Sequence, residues 1–185
     1  MAKLDTYVAS LKEENARQNL VSTKSLNDVW LRHIADSAQI LDHVPRETRT
    51  LLDLGSGPGL PGLVLAIMRP ELEIVLVESR RKRHEWLEMQ RTDLQLGNVT
   101  VEGRRVEAVE TFCADVITAR AFAPLPRLLD LSRRFSTADT LWVLPKGQSA
   151  AQDLTKLPQR LRKMFHVEQS MTSSDAGIIV GKVSP

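Results

Sequence analysis

The chain has 185 residues, 42% hydrophobic and 26% charged, with 25 lysines and arginines against 23 aspartates and glutamates. That is the composition of one globular domain with a short extension, long enough to bury a core of useful size. It excludes a helix spanning a membrane, because no run of about 18 apolar residues occurs, and a disulfide scaffold, because Cys113 is the single cysteine.

Residues 3–43 read as helices: Leu4, Val8 and Leu11, then Val29, Trp30, His33, Ile34, Ile40 and Leu41, recur at spacings of three and four. Asn19 to Lys24 reads as a turn, and Ser25 with Asp28 as a capping box for the helix that follows. The N-terminal stretch is too polar for a secretory signal, so a cytoplasmic protein is expected. Beyond Pro45 the pattern changes. TLLDL (50–54) is a short apolar run ending at glycines, hence a buried strand, and Pro61 fits the first turn of the helix after it. ELEIVLVE (71–78) is a second strand, 80–95 a helix, VTV (99–101) a third strand and 115–120 a fourth. A helix over 125–135, a fifth strand over 140–144 and a helix over 149–158 follow. Residues 161–169 and 176–183 read as a closing antiparallel pair, since no helix fits between them.

This order predicts a doubly wound α/β fold, mostly parallel, with helices on both faces. Residues 1–48 form an N-terminal helical extension in this reading, and 49–185 one compact unit. Positive charge gathers late: residues 80–134 carry 11 cations and 8 acids, and residues 141–164 carry 5 and 1. Such a distribution permits an anionic partner.

The strongest local signal is DLGSGPGLPG (53–62). Glycines at 55, 57 and 59 follow a strand and precede a helix, the place where open α/β sheets bind nucleotides. The dinucleotide pattern G-x-G-x-x-G fails at Leu60. What stands is D-x-G-x-G-x-G, with Glu78 at the end of the second strand, where a carboxylate can accept from both hydroxyls of a ribose. The segments RHIADS (32–37), LDLGSGPGLPGLVLAI, VESRRKRHEWLE (77–88), LGNVTVEGRRVE (96–107), ITARAFAPLPRLL (117–129), KG (146–147) and HVEQS (166–170) occur in this order. Together they resemble the bacterial RsmG family, also called glucose-inhibited division protein B, the 16S rRNA guanine-N7 methyltransferases.

The resemblance implies a seven-stranded Rossmann-like methyltransferase fold with an antiparallel last strand and S-adenosylmethionine as cofactor. It implies cofactor contacts at Gly55, Leu60, Val106, Glu107 and Arg120, to which the loop and ribose arguments add Gly57 and Glu78. Its expected partner is 16S rRNA or the assembling small subunit, met by a monomer. Arg120 would face the methyl-transfer region, and Lys146 would sit in the same mouth, both as positioning groups. Arg81, Lys82 and Arg83 are candidate phosphate contacts, or else a solvated helix face. A small-molecule methyltransferase and a non-catalytic RNA-binding assembly protein remain as alternatives.

No Asn/Asp-Pro-Pro-aromatic motif follows the fourth strand, which argues against exocyclic amine chemistry. Cys113 has no nucleophile context and reads as a small packing residue. Guanine N7 needs no proton removed, so positioning and electrostatics suffice. Trp30 and Trp86 read as core residues, and His33 as a structural histidine bonded to Asp36. His43, His84 and His166 are too scattered for a metal site, and none is expected.

Overall fold

The strand that runs into the glycines, β1 (Thr50–Leu54), is buried along nearly its whole length and lies in the interior of the sheet. In the computed structural model, which describes residues 1–183, seven strands form one sheet in the order β3-β2-β1-β4-β5-β7-β6. Ser184 and Pro185, the end of the expected compact unit, lie outside the described residues.

The N-terminal region holds α1 (Ala2–Gln18), α2 (Thr23–Leu26), a π-helical turn over Trp30–Ala35 and α3 (Asp36–Ala38). After β1 come α4 (Gly62–Met68), β2 (Glu73–Val77), α5 (Arg81–Asp93), β3 (Val99–Glu102), β4 (Val116–Thr118) and α6 (Leu125–Ser132). The chain ends with β5 (Leu141–Lys146), α7 (Ala150–Thr155), α8 (Gln159–Arg162), β6 (Phe165–Gln169) and β7 (Gly177–Lys182). β1 to β5 pair in parallel, and β7 runs antiparallel to both β5 and β6.

Alternation along each strand divides the core between two faces. Leu51, Ile74, Leu76, Val116 and Val143 pack with Leu63 and Leu65 of α4, Trp86 and Leu87 of α5, and Leu4, Tyr7, Val8 and Leu11 of α1. The intervening residues Leu52, Leu54, Val77, Ile117 and Trp142 pack with Leu125, Leu128 and Leu129 of α6 on the other side. The N-terminal helix therefore shares the core of the sheet.

Several sequence expectations are corrected. Ser22, three residues earlier than expected, caps α2, and its Oγ accepts from the backbone N–H of Ser25 at 3.2 Å. Residues 159–162 are helical, because Pro158 starts a turn there, and strand β6 begins only at Phe165. Trp30 is 39% exposed, since the π-helical turn rotates it off the core face. Cys113 is exposed in the irregular stretch before β4 and packs no core. Among the described residues, no helix is long and apolar enough to cross a membrane, and no group of three His, Cys, Asp or Glu could hold a metal ion.

Candidate functional site

Crossovers from β1 lead to β2 and β3 on one side and, through β4, to β5 on the other. The order of strands thus reverses between the parallel neighbours β1 and β4, and the crevice beyond their carboxyl ends is where such sheets bind ligands. The glycine loop enters it from β1, and Arg120 enters it from β4.

The loop turns through left-handed backbone at Gly55 (φ +69°) and Gly57 (φ +57°), which L side chains rarely adopt. A Cβ on Gly55 would stand 2.5 Å from Cδ2 of Phe122, so the bare backbone there is a spatial necessity. Glu78, 5% exposed, follows β2 directly and ties the loop to the next segment. Its Oε2 accepts from the N–H of Gly57 at 3.0 Å, and its Oε1 from the N–H of Arg80 at 2.8 Å. A recess of about 190 Å³ opens here, lined among others by Gly55, Glu78, Arg83, Arg104, Val106 and Phe122.

Beneath the loop Asp53 is wholly buried on the α4 side of the sheet. Its Oδ2 accepts from the N–H of Gly62 at the start of α4 at 3.1 Å, whereas Oδ1 has no partner among the described residues. Burial lifts its carboxyl to about 7, against the lowering effect of Ser56 and Gly62. An unfolded aspartate would already have lost its proton above about pH 4. Between about pH 4 and 7 the folded chain therefore holds the extra proton, and this contribution to stability is lost as pH rises through that window.

A second, wider cleft of about 600 Å³ adjoins the recess, and Ala121 lines both. Arg120 lies between two partners in it. Both terminal nitrogens of its guanidinium stand 3.4 Å from Nδ1 of His33, and one stands 3.6 Å from Oδ2 of Asp36. Arginine only donates, so Nδ1 of His33 must accept, which leaves its Nε2 to donate to Oγ of Ser25 at 2.9 Å. Burial and the neighbouring Arg120 push the His33 pKa down to about 4, so the ring is neutral at physiological pH. Oδ1 of Asp36 accepts from Thr172 at 2.7 Å and from Gln39 at 2.9 Å. Gln39 in turn accepts from the backbone N–H of Met171 at 2.8 Å. The N-terminal segment thereby fixes both Arg120 and the turn between β6 and β7. The expected bond between His33 and Asp36 is replaced by this arrangement, with Arg120 standing between them.

Lys146, at the end of β5, lines the same cleft and pairs with Asp153 of α7 at 3.4 Å. Burial alone would raise the carboxyl of Asp153, but Lys156 and Lys146 together hold it below its ordinary value.

The other singled-out residues are spread. Gly57 lies in the loop beside Glu78. Val106 is buried beside the recess, while the Glu107 side chain faces solvent and pairs with Arg127 at 3.2 Å. Leu60 is 2% exposed with its side chain in the core, and it lines neither pocket. Arg81 points to solvent and pairs with Glu85 at 2.7 Å, Lys82 is exposed, and Arg83 turns toward the recess. Gln39, Thr172 and Phe122 were not singled out as site residues. Their roles depend on partners 67 to 136 positions away in sequence, and no local spacing announces them.

Residues 1–179 match the family model described as rRNA small subunit methyltransferase G. The ribosomal RNA small subunit methyltransferase G of Erythrobacter litoralis is 59% identical over 98% of this chain and 88% of its own length. That of Novosphingobium aromaticivorans is 52% identical over 99% and 80%. Among solved structures, a mutant of MtNAS in complex with S-adenosylmethionine is similar over 98% of this chain and 76% of its own, at 18% identity and a TM-score of 0.61. A fibrillarin/Nop5p complex chain is similar over 83% and 82%, at 16% identity and the same TM-score of 0.61. These structures share the fold.

Proposed function

Because the chain belongs to the rRNA small subunit methyltransferase G family, we propose that it methylates N7 of a guanine in small-subunit ribosomal RNA, using S-adenosylmethionine. The observation that carries this reading is the joined pair of pockets, one at the glycine loop and Glu78, the other around Arg120. The residues present fit the cofactor. A side chain is excluded at Gly55, so backbone can approach the ligand, and the Glu78 carboxylate retains lone pairs for a ribose after its two backbone bonds. Gly55, Gly57, Leu60, Glu78, Val106 and Glu107 would hold it. S-adenosylmethionine supplies an activated methyl group when bound.

What remains for the chain is orientation. Guanine N7 has a lone pair and no proton to lose, and the cleft offers no strong base. His33 is a weak base engaged by Arg120, and Asp36 is engaged by Arg120, Gln39 and Thr172. Arg120 would donate to guanine O6, the acceptor beside N7, from a fork already held in place. Lys146 would add positive charge at the mouth. The enzyme works as a cytoplasmic monomer in this reading, with residues 1–48 and 49–185 acting as one unit on rRNA or the assembling subunit.

Two measurements bear on it. At saturating cofactor, single-turnover rates should stay nearly flat between about pH 6.5 and 9, since no proton leaves the acceptor. Saturation matters because Asp53 titrates near 7 beneath the cofactor loop. A log-linear rise with slope near one would exclude N7 as the acceptor. For the RNA contact, neutralising Arg81, Lys82 and Arg83 together should lower the salt slope of RNA binding by up to about three units. Arg81 is already paired with Glu85, so the larger share is expected from Lys82 and Arg83. An unchanged slope assigns all three to a solvated face.

A further inference from the structure

The glycine loop is held by backbone bonds at nearly every position. The N–H groups of Gly55 and Ser56 donate to the carbonyl of Val77, and those of Gly59 and Leu60 to the carbonyl of Ser56. Gly57 is held by Glu78. Pro58 differs, because a proline has no N–H and its carbonyl is its only polar backbone group. That carbonyl accepts from two buried side chains on separate helices: the hydroxyl of Tyr7 on α1 at 3.0 Å and Nε1 of Trp86 on α5 at 2.8 Å. Tyr7 is 0% and Trp86 3% exposed. Burial also raises the pKa of the Tyr7 hydroxyl above its ordinary value, so it remains a donor at every working pH.

These residues do not line either pocket. They stand behind the loop, on the core side, and each is the only polar group its ring brings to that site. A ring filling space alone would need no donor aimed at a loop carbonyl. With three glycines among six residues, the loop has little side-chain packing of its own, and freeing it would place the cost of ordering it on ligand binding.

We propose that Tyr7 and Trp86 are positioning residues that set the shape of the glycine loop, and so the cofactor affinity, through the shared Pro58 carbonyl. The inference rests on the loop being the S-adenosylmethionine site. It gives α1 a part in cofactor binding.

The test is calorimetric affinity for S-adenosylmethionine, with melting temperature and turnover at saturating cofactor, for Tyr7→Phe, Trp86→Phe and the pair. Each single variant keeps an aromatic ring and one remaining donor. Each should weaken binding about three- to tenfold. The pair should lose more than the product of the singles, because only then does the carbonyl lack a donor. Turnover at saturation should not change. Leu11→Ala, on the same buried face of α1 but without a polar contact to the loop, serves as control: its melting temperature should fall with affinity intact. If the aromatic variants behave like Leu11→Ala, their role is structural and the inference is overturned. Should the pair fail to fold, the two single variants decide. Failure of the wild-type chain to bind the cofactor would overturn the cofactor reading and this inference with it.

Discussion

Arg120→Lys should lower turnover at saturating cofactor by about a hundredfold, the scale of losing one preorganised donor at a reacting centre. The charge survives this substitution, but the planar fork does not. The fork is what the structure fixes: two nitrogens on Nδ1 of His33 and one beside Asp36. A lysine ammonium reaching the same place would have its direction set by neither partner. Arg120→Ala should be at least as slow. Affinity for S-adenosylmethionine should change by less than about threefold in the lysine variant if the guanidinium acts on the acceptor base. Two results would move Arg120 elsewhere. Normal turnover at saturation with a raised apparent cofactor constant would assign it to the cofactor carboxylate. Normal turnover with normal affinity would reduce it to a structural ion pair. Circular dichroism and melting curves accompany the kinetics, because Arg120 also joins the N-terminal segment to β4.

Glu78→Ala should weaken cofactor binding by at least tenfold and up to about a hundredfold, the scale of removing a charged hydrogen-bond acceptor. The loss extends to the fold. Both carboxylate oxygens already serve the protein, one on Gly57 and one on Arg80. Alanine leaves two N–H groups without acceptors, so the melting temperature should fall as well. Glu78→Gln separates the two roles. Its carbonyl oxygen can satisfy one N–H, while its amide nitrogen would face the other donor. It should therefore fall between wild type and alanine in both stability and affinity. Unchanged calorimetric affinity in the alanine variant would remove Glu78 from the cofactor site.

Gly55, Gly57 and Glu78 were legible because one loop and one strand end carry them, at spacings set by local backbone. The order of strands was legible for a similar reason: parallel connections need helices between them, and their apolar runs are visible. Arg120 was legible as lying at the carboxyl end of the fourth strand, and it stands two residues beyond β4. Its orientation was not, because it depends on His33 and Asp36, more than 80 positions earlier. The contacts of Gln39 with the β6–β7 turn cross more than 130 positions. Trp30 misled for another reason. Helical periodicity assumes 3.6 residues per turn, and the wider π-helical turn at 30–35 shifts the exposed face. Cys113 misled because small apolar residues are usually buried, and here the approach to β4 runs along the surface.

The proposed reaction transfers one methyl group to one atom of one class of base. Its most direct measurement incubates the purified chain with methyl-labelled S-adenosylmethionine and small-subunit rRNA lacking modification. The labelled nucleotide is then identified, and its position is located by borohydride and aniline cleavage, which acts at 7-methylguanosine. One labelled guanosine per rRNA molecule is expected, with cleavage at that site, and the initial rate of labelling by Arg120→Ala should be lower by about a hundredfold or more. Label on an exocyclic amine, on a pyrimidine or on a ribose, or no label in RNA from a chain that binds the cofactor, would contradict it.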